Sequence, residues 1–259
     1  MKKLLLFFSL FSALVWGVTL KIYSLNMTDE MLYRDIKQKF EALYPNIQLL
    51  ILRNLDYFAL QKKIYTWPRD EDVVITFYSQ IAPHKRLFQY IQSIGKGYLA
   101  IYSRNRKNPV TLQNLLNQPK IVLPDQHNPV GLATAYALYN YYRSRETLMA
   151  LYKKCPIFPY SAIDVVKMVK YRPDITAGIS WFPYSKWKRY GFYKLNAFFI
   201  PTKYYRPPVL VAAINPNPDM MLPKKLTLEE RTAKFEAAKT FIDFLISPQG
   251  QRILRKWGF

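Results

Sequence analysis

The sequence predicts an α/β fold of two lobes, each built on a mainly parallel sheet, and three observations carry that expectation. Strand-like and helix-like segments alternate from Val18 to the last helix, the order that lays helices over parallel strands. Two apolar strands, one led in by Gly95-Lys-Gly97 and the other by Pro207-Pro208, bracket a central run with apolar periodicity of its own. At 259 residues, 50% of them hydrophobic, the chain can bury one large core or two smaller ones.

Taken in order, residues 20–25 are rich in strand formers, and 29–43 place Leu32, Ile36, Phe40 and Leu43 on one helical face before the stop Tyr44-Pro45. A strand apolar but for Gln48 follows at 47–52, then a helix near 57–65 and a strand at 73–77. The crossings between lobes fall at 98–102 and 209–214. Between them the pattern predicts a helix at 112–116, a strand at 120–123, helices at 132–143, 146–152 and 162–170, and a strand at 175–181. Residues 229–246 form a long amphipathic helix expected to pack back on the first lobe. The expected lobes are therefore 18–103 plus 207–259, and 104–206, hinged by two strands.

Residues 1–17 read as a signal peptide: Lys2 and Lys3, an apolar run from Leu4 to Trp16, and Val15-x-Gly17 at the position a signal peptidase reads. That run is too short to cross a bilayer core, which needs about 20 residues. Cleavage after Gly17 would release the chain into the periplasm. Cys155 is the only cysteine, so no intramolecular disulfide forms, and it reads as a small core residue. The net charge of +21, from 38 basic and 17 acidic residues, favours anionic partners and could speed capture of a small anion. Basic and aromatic residues interleave, as in Lys186-Trp-Lys-Arg-Tyr190, yet no nucleic-acid motif accompanies them and no nucleic-acid partner is expected.

Ligands of open α/β sheets bind beyond the carboxyl ends of strands, where free amides at helix starts carry partial positive charge. Four junctions have that character. Asn26-Met-Thr28 follows the first strand, with Thr28 able to cap a helix and present a hydroxyl. Asn54-Leu-Asp-Tyr57 follows the second, and Asn54 and Tyr57 are its candidate contacts. The third is the loop from Asp125 to Gly131, where Gly131 permits close backbone approach. At the fourth, Ser161 and Asp164 fit a capping box, so Ser161 and Ala162 would present the helix start.

These residues resemble the type II periplasmic binding proteins of ABC importers, and among them the molybdate/tungstate-binding branch. The likeness lies in residues 20–35, in Asp72-Val-Val-Ile-Thr-Phe77 and in Leu123-Pro-Asp125 with Gly131 ahead of a helix. It continues in Asp174-Ile-Thr-Ala-Gly-Ile-Ser-Trp181 and in the closing segment from Ala237 to Phe259. The resemblance implies a periplasmic binding protein type II fold that captures a small oxyanion and delivers it to a membrane permease, as a monomer and without a cofactor. It also implies that Thr28 sets a hydroxyl on the oxyanion, that residues 54–57 stand near a second hydroxyl loop, and that the amides at Ser161 and Ala162 bind the anion. Trp181 stands where a tyrosine hydroxyl commonly reaches the ligand. The sequence departs from the pattern at Trp181 itself, at Asp56 in the second loop, and at Asp29-Glu30 directly after Thr28.

Other readings stay open. Ferric iron, bound by related type II proteins, would want an adjacent tyrosine pair after the strand ending at Trp181, and that position reads Trp181-Phe182 instead. The pair Tyr204-Tyr205 falls near the return crossing. An enzyme is not expected, since His84 and His127 are the only histidines, each in a proline-flanked loop with no triad or ligand spacing around it. Ligand sensing, or binding to an anionic surface, would use the same fold.

Overall fold

The computed structural model describes residues 17–66, 69–218 and 226–259. The signal peptide expected over 1–17 lies, but for Gly17, outside them. Nine strands form two sheets: β1 (Val18–Leu25), β2 (Ile47–Leu55), β3 (Val73–Phe77), β4 (Gln89–Lys96), β5 (Leu99–Ser103), β6 (Ile121–Val122), β7 (Ala177–Trp181), β8 (Asn196–Phe199) and β9 (Val209–Ile214). The first sheet has the order β2-β1-β3-β9-β4, the second β6-β7-β5-β8. The chain passes between them at Gly97-Tyr98 and returns between β8 and β9.

The sheets are mixed rather than mainly parallel. β1 pairs parallel with β2 and β3, and β6 with β7, but β9 runs antiparallel between β3 and β4, and β5 runs antiparallel to both β7 and β8. The cause is the crossing itself. A strand that returns from the other lobe enters its sheet from the opposite end.

The first helix runs as α1 (Asp29–Met31), a π turn (Leu32–Ile36) and α2 (Lys37–Leu43), burying Met31, Leu32, Ile36 and Phe40. Phe40 packs against Tyr44, Phe241 and Phe244 at ring-centroid distances of 4.8, 5.2 and 5.5 Å. The last two belong to α8 (Leu228–Ile246), which opens on a capping box of Thr227 and Glu230 and lies on β1, β4 and β9. α9 (Pro248–Trp257) follows, capped by Ser247 and anchored where Lys256 and the Trp257 indole both donate to Asp35 at 2.8 and 2.7 Å. The acidic triplet ahead of β3 is neutralised in place, Asp70 by Lys21, Glu71 by Arg69 and Asp72 by Lys234.

α3 (Tyr57–Tyr65) covers β1 and β2, and α4 (Tyr78–Ile81) follows β3. On the second sheet, α5 (Pro129–Tyr142) and α7 (Ala162–Tyr171) pack on β5 and β7, and α6 (Arg145–Lys153) packs on α5. Cys155 is buried, its thiol donating to the Ile157 carbonyl at 3.0 Å, as a core residue would.

Several expectations shift. The strand predicted at 47–52 extends to Leu55, and it is an edge strand: Leu50 and Leu52 are exposed. No α-helix forms at 112–116, because the Asn114 side chain accepts the Thr111 amide at 2.7 Å and leaves only a 3-10 turn at Leu115–Asn117. β4, β8 and α9 lie outside the elements predicted from the sequence.

The aromatic cluster around Phe40 joins the first helix to the last long one. Phe40→Ala is expected to lower unfolding stability by about 3–5 kcal/mol in urea denaturation, as large core truncations do.

Candidate functional site

The carboxyl ends of β1, β2, β3 and β7 and the starts of α3, α5 and α7 converge on one small enclosed cavity between the sheets. Asn26 and Met27 contribute from the first junction, Asp56 and Tyr57 from the second, Asn128 to Val130 from the third, and Ala162 from the fourth. Phe77 and Trp181 close its floor, with ring centroids 5.1 Å apart, one ring from each sheet. Gly97 makes their contact possible: a Cβ there would lie 2.9 Å from Phe77 and 3.1 Å from Trp181. At the mouth Phe58 meets Tyr160 edge to face at 6.1 Å.

Local sequence explains each helix start. Asp56 caps α3, its Oδ1 accepting the Ala59 amide at 2.8 Å. Asn128 with Pro129 behind it opens α5: its Oδ1 accepts the Gly131 amide at 2.9 Å, and its Nδ2 donates to the Tyr160 carbonyl at 2.8 Å. α7 differs. Ser161 makes no side-chain cap, so no hydroxyl takes up the first-turn amides at Ala162 and Ile163. The expected capping box is absent because Asp164 pairs with Lys167 at 2.8 Å instead. The Ala162 carbonyl accepts the Ser180 hydroxyl at 2.6 Å, fixing this helix start to β7.

Of the residues singled out from sequence, Tyr57, Ala162 and Trp181 line the cavity together. The other four do not. Thr28 is buried, and its hydroxyl donates back to the Leu25 carbonyl at 2.7 Å. Asn54 adopts a left-handed backbone (φ 64°), so that its amide donates to Asp29 at 2.8 Å, while its side chain faces Arg189. Gly131 sits behind the α5 start, where a Cβ would lie 1.8 Å from the Asp125 carbonyl oxygen. Ser161 lies one residue outside, in an open groove beside Asp164. The lining residues that sequence reasoning missed are Phe77, Asn128 and Tyr160. Asn128 carried a legible signal, an N-cap residue directly before a proline.

The lining contains no lysine, arginine or histidine, and its one carboxylate is Asp56. Asp29 stays outside, held by the Asn54 amide. The Tyr184 hydroxyl donates to Asn26 Oδ1 at 2.6 Å, across the lobes. Burial keeps that phenol far above its ordinary pKa, so it remains a donor. Glu30 accepts the amides of Lys188 and Arg189 at 3.0 and 2.6 Å, a second tie across the lobes.

This arrangement, two lobes closed on a small cavity built from helix starts, is that of a solute-binding clamp. The chain belongs to the bacterial extracellular solute-binding proteins, whose family profile matches residues 80–259. Among curated proteins none matches it. It is similar in structure to the periplasmic molybdate-binding protein of Azotobacter vinelandii, with a TM-score of 0.68 at 16% identity over 92% of this chain and 97% of that one. It is similar also to a substrate-binding domain assigned to a molybdenum ABC transporter of Clostridium difficile, with a TM-score of 0.68 at 18% identity over 93% and 97% of the two chains. Peb3 of Campylobacter jejuni gives 0.67 at 13% identity over 92% and 98%. At such identities the likeness is one of fold.

Burial pushes the Asp29 carboxyl up to about 7, against the opposing pull of the Asn54 amide, Arg53 and Arg189. The native state therefore holds this proton more tightly than the unfolded chain, whose carboxyl titrates near 3.8. The cost of ionising Asp29 is absent below about pH 4 and complete above about pH 7. Asp29→Asn, which keeps an acceptor for the Asn54 amide, is expected to gain stability relative to the natural chain as pH rises across that window, by a few kcal/mol. Urea denaturation at pH 5 and pH 8 measures it; a difference that stays flat contradicts the assignment.

Proposed function

We propose that this protein is exported, captures a small oxyanion in the cavity between its lobes, and delivers it to the membrane permease of an ABC importer. The lobes in this reading are residues 18–103 with 207–259, and 104–206. The observation that carries it is the convergence of three helix starts from both lobes on one enclosed cavity without a cationic side chain. Amides at helix starts hold oxyanions through oriented partial charge, with no need of a formal cation. The uncapped amides of α7 are the leading donors, with the Tyr57 hydroxyl and the indole of Trp181 as further candidates. The cavity is narrow in this closed arrangement, so it suits only a compact solute.

Molybdate and tungstate are candidates on the strength of the structural likeness, and Asp56 bears on them directly. At about 5 Å and an effective dielectric of about 20, a carboxylate and a dianion repel by roughly 6–7 kcal/mol. A charge-assisted hydrogen bond returns roughly 1.5–3 kcal/mol. Asp56 therefore disfavours a fully ionised dianion and favours an oxyanion that retains a proton to share with it. Iron-bound HitA of Pseudomonas aeruginosa shares the fold, with a TM-score of 0.56 at 16% identity. A lining with one carboxylate and no histidine supports an oxyanion over ferric iron.

Calorimetric titration with molybdate, tungstate, sulfate and phosphate tests the reading. At least one is expected to bind, with Tyr57→Ala weakening it tenfold or more; no heat from any of the four would remove the oxyanion. Asp56→Asn preserves the helix cap and is expected to raise affinity for molybdate and sulfate at least tenfold. Equal affinity in the two proteins would show that the carboxylate does not face the ligand.

A further inference from the structure

Apart from the cavity, the lobes share a wider recess of about 430 Å³ that has no lining residue in common with it. Arg34 and Arg53 reach it from one lobe, Lys188 and Arg189 from the other. Two carboxylates, Asp29 and Glu30, face these four cations, and both are already engaged by backbone amides. Among the described residues the recess holds a single ion pair, Arg34 with Glu30 at a loose 3.5 Å, and Arg53, Lys188 and Arg189 have no carboxylate within ion-pair distance. Positive charge is in excess here, and it comes from both sides of the gap.

Two further features point to a ligand. The Arg53 guanidinium carbon lies 3.3 Å from the centroid of the Tyr33 ring, a cation–π contact that holds beside the recess a group able to make two-point contact with a phosphate or carboxylate. Trp187 lines the same recess at 1% exposure, and its indole N–H has no acceptor among the described residues. A buried tryptophan N–H usually has a partner. An oxyanion seated among the four cations would supply one.

We propose that this recess is a second ligand site, taking a small molecule with two or more phosphate or carboxylate groups. Its volume exceeds what a single tetrahedral ion fills, and its two pairs of cations suit a ligand charged at both ends. Because that ligand would touch both lobes, its binding favours their closed arrangement over an open one. The inference is independent of which solute the smaller cavity takes.

Calorimetric titration of the full chain with inorganic pyrophosphate and with citrate, at about 0.15 M salt to suppress loose surface binding, tests it. At least one probe is expected to bind. Arg53→Gln/Arg189→Gln is expected to weaken it tenfold or more, whereas Lys63→Gln/Lys107→Gln, which removes the same charge from exposed positions elsewhere, leaves it within twofold. Tyr57→Ala, in the smaller cavity, is also expected to leave it within twofold. No binding of either probe overturns the proposal, as does an equal loss in the two charge variants, which marks diffuse attraction. Loss in Tyr57→Ala, with or without loss in the arginine variant, overturns it too, since the probe then depends on the cavity.

Discussion

Glu30 accepts two consecutive amides from the far lobe, and that grip helps hold the lobes in their closed arrangement. Its carboxylate is buried, and a buried charge persists only where hydrogen bonds replace water. The donors come from Lys188 and Arg189, so the turn after β7 is drawn onto the first helix. That places Tyr184 on Asn26 and Trp181 on Phe77. The same closure brings together the floor of the cavity and one of its walls.

The alternation of strands and helices was legible because apolar period and stop residues agree at most elements: 57–65, 73–77 and 209–214 read correctly to the residue. The mixed pairing was not legible. Strand direction depends on where β9 inserts, and nothing within the strand records its neighbours. The same division runs through the site. That helix starts would gather at the strand ends follows from α/β geometry, and Tyr57 and Ala162 stand at such starts in the lining, while Trp181, named from the family resemblance, lies beside them. Thr28 and Asn54 lie outside the lining for a shared reason: their polar groups satisfy the turn that holds them. A hydroxyl that closes on the Leu25 carbonyl and an amide that closes on Asp29 look, in sequence, the same as groups offered to a ligand.

The three carboxylates near the first two junctions have separate fates, and proximity in sequence does not predict them. Glu30 becomes the tie between lobes, Asp29 is buried behind Asn54 with its proton held more tightly, and Asp56 alone reaches the lining. Each is placed by the backbone donor it accepts. On the proposed reading, discrimination among oxyanions rests with Asp56, because it is the one carboxylate in the lining and would distinguish a protonated oxyanion from a bare one.

The chain carries a net charge of +21, while its cavity is lined by no cationic side chain. The long-range field and the local contacts are thus made by different atoms, and they answer differently to dissolved salt. Encounter with an anion is steered by exposed lysines and arginines and slows as ionic strength rises. On the proposed reading, escape from the enclosed cavity is governed by amide dipoles and the Asp56 carboxylate, which ions in solution screen far less than they screen the surface. Affinity would then fall with salt almost wholly through association, so a solute already held would stay as long in brine as in dilute buffer.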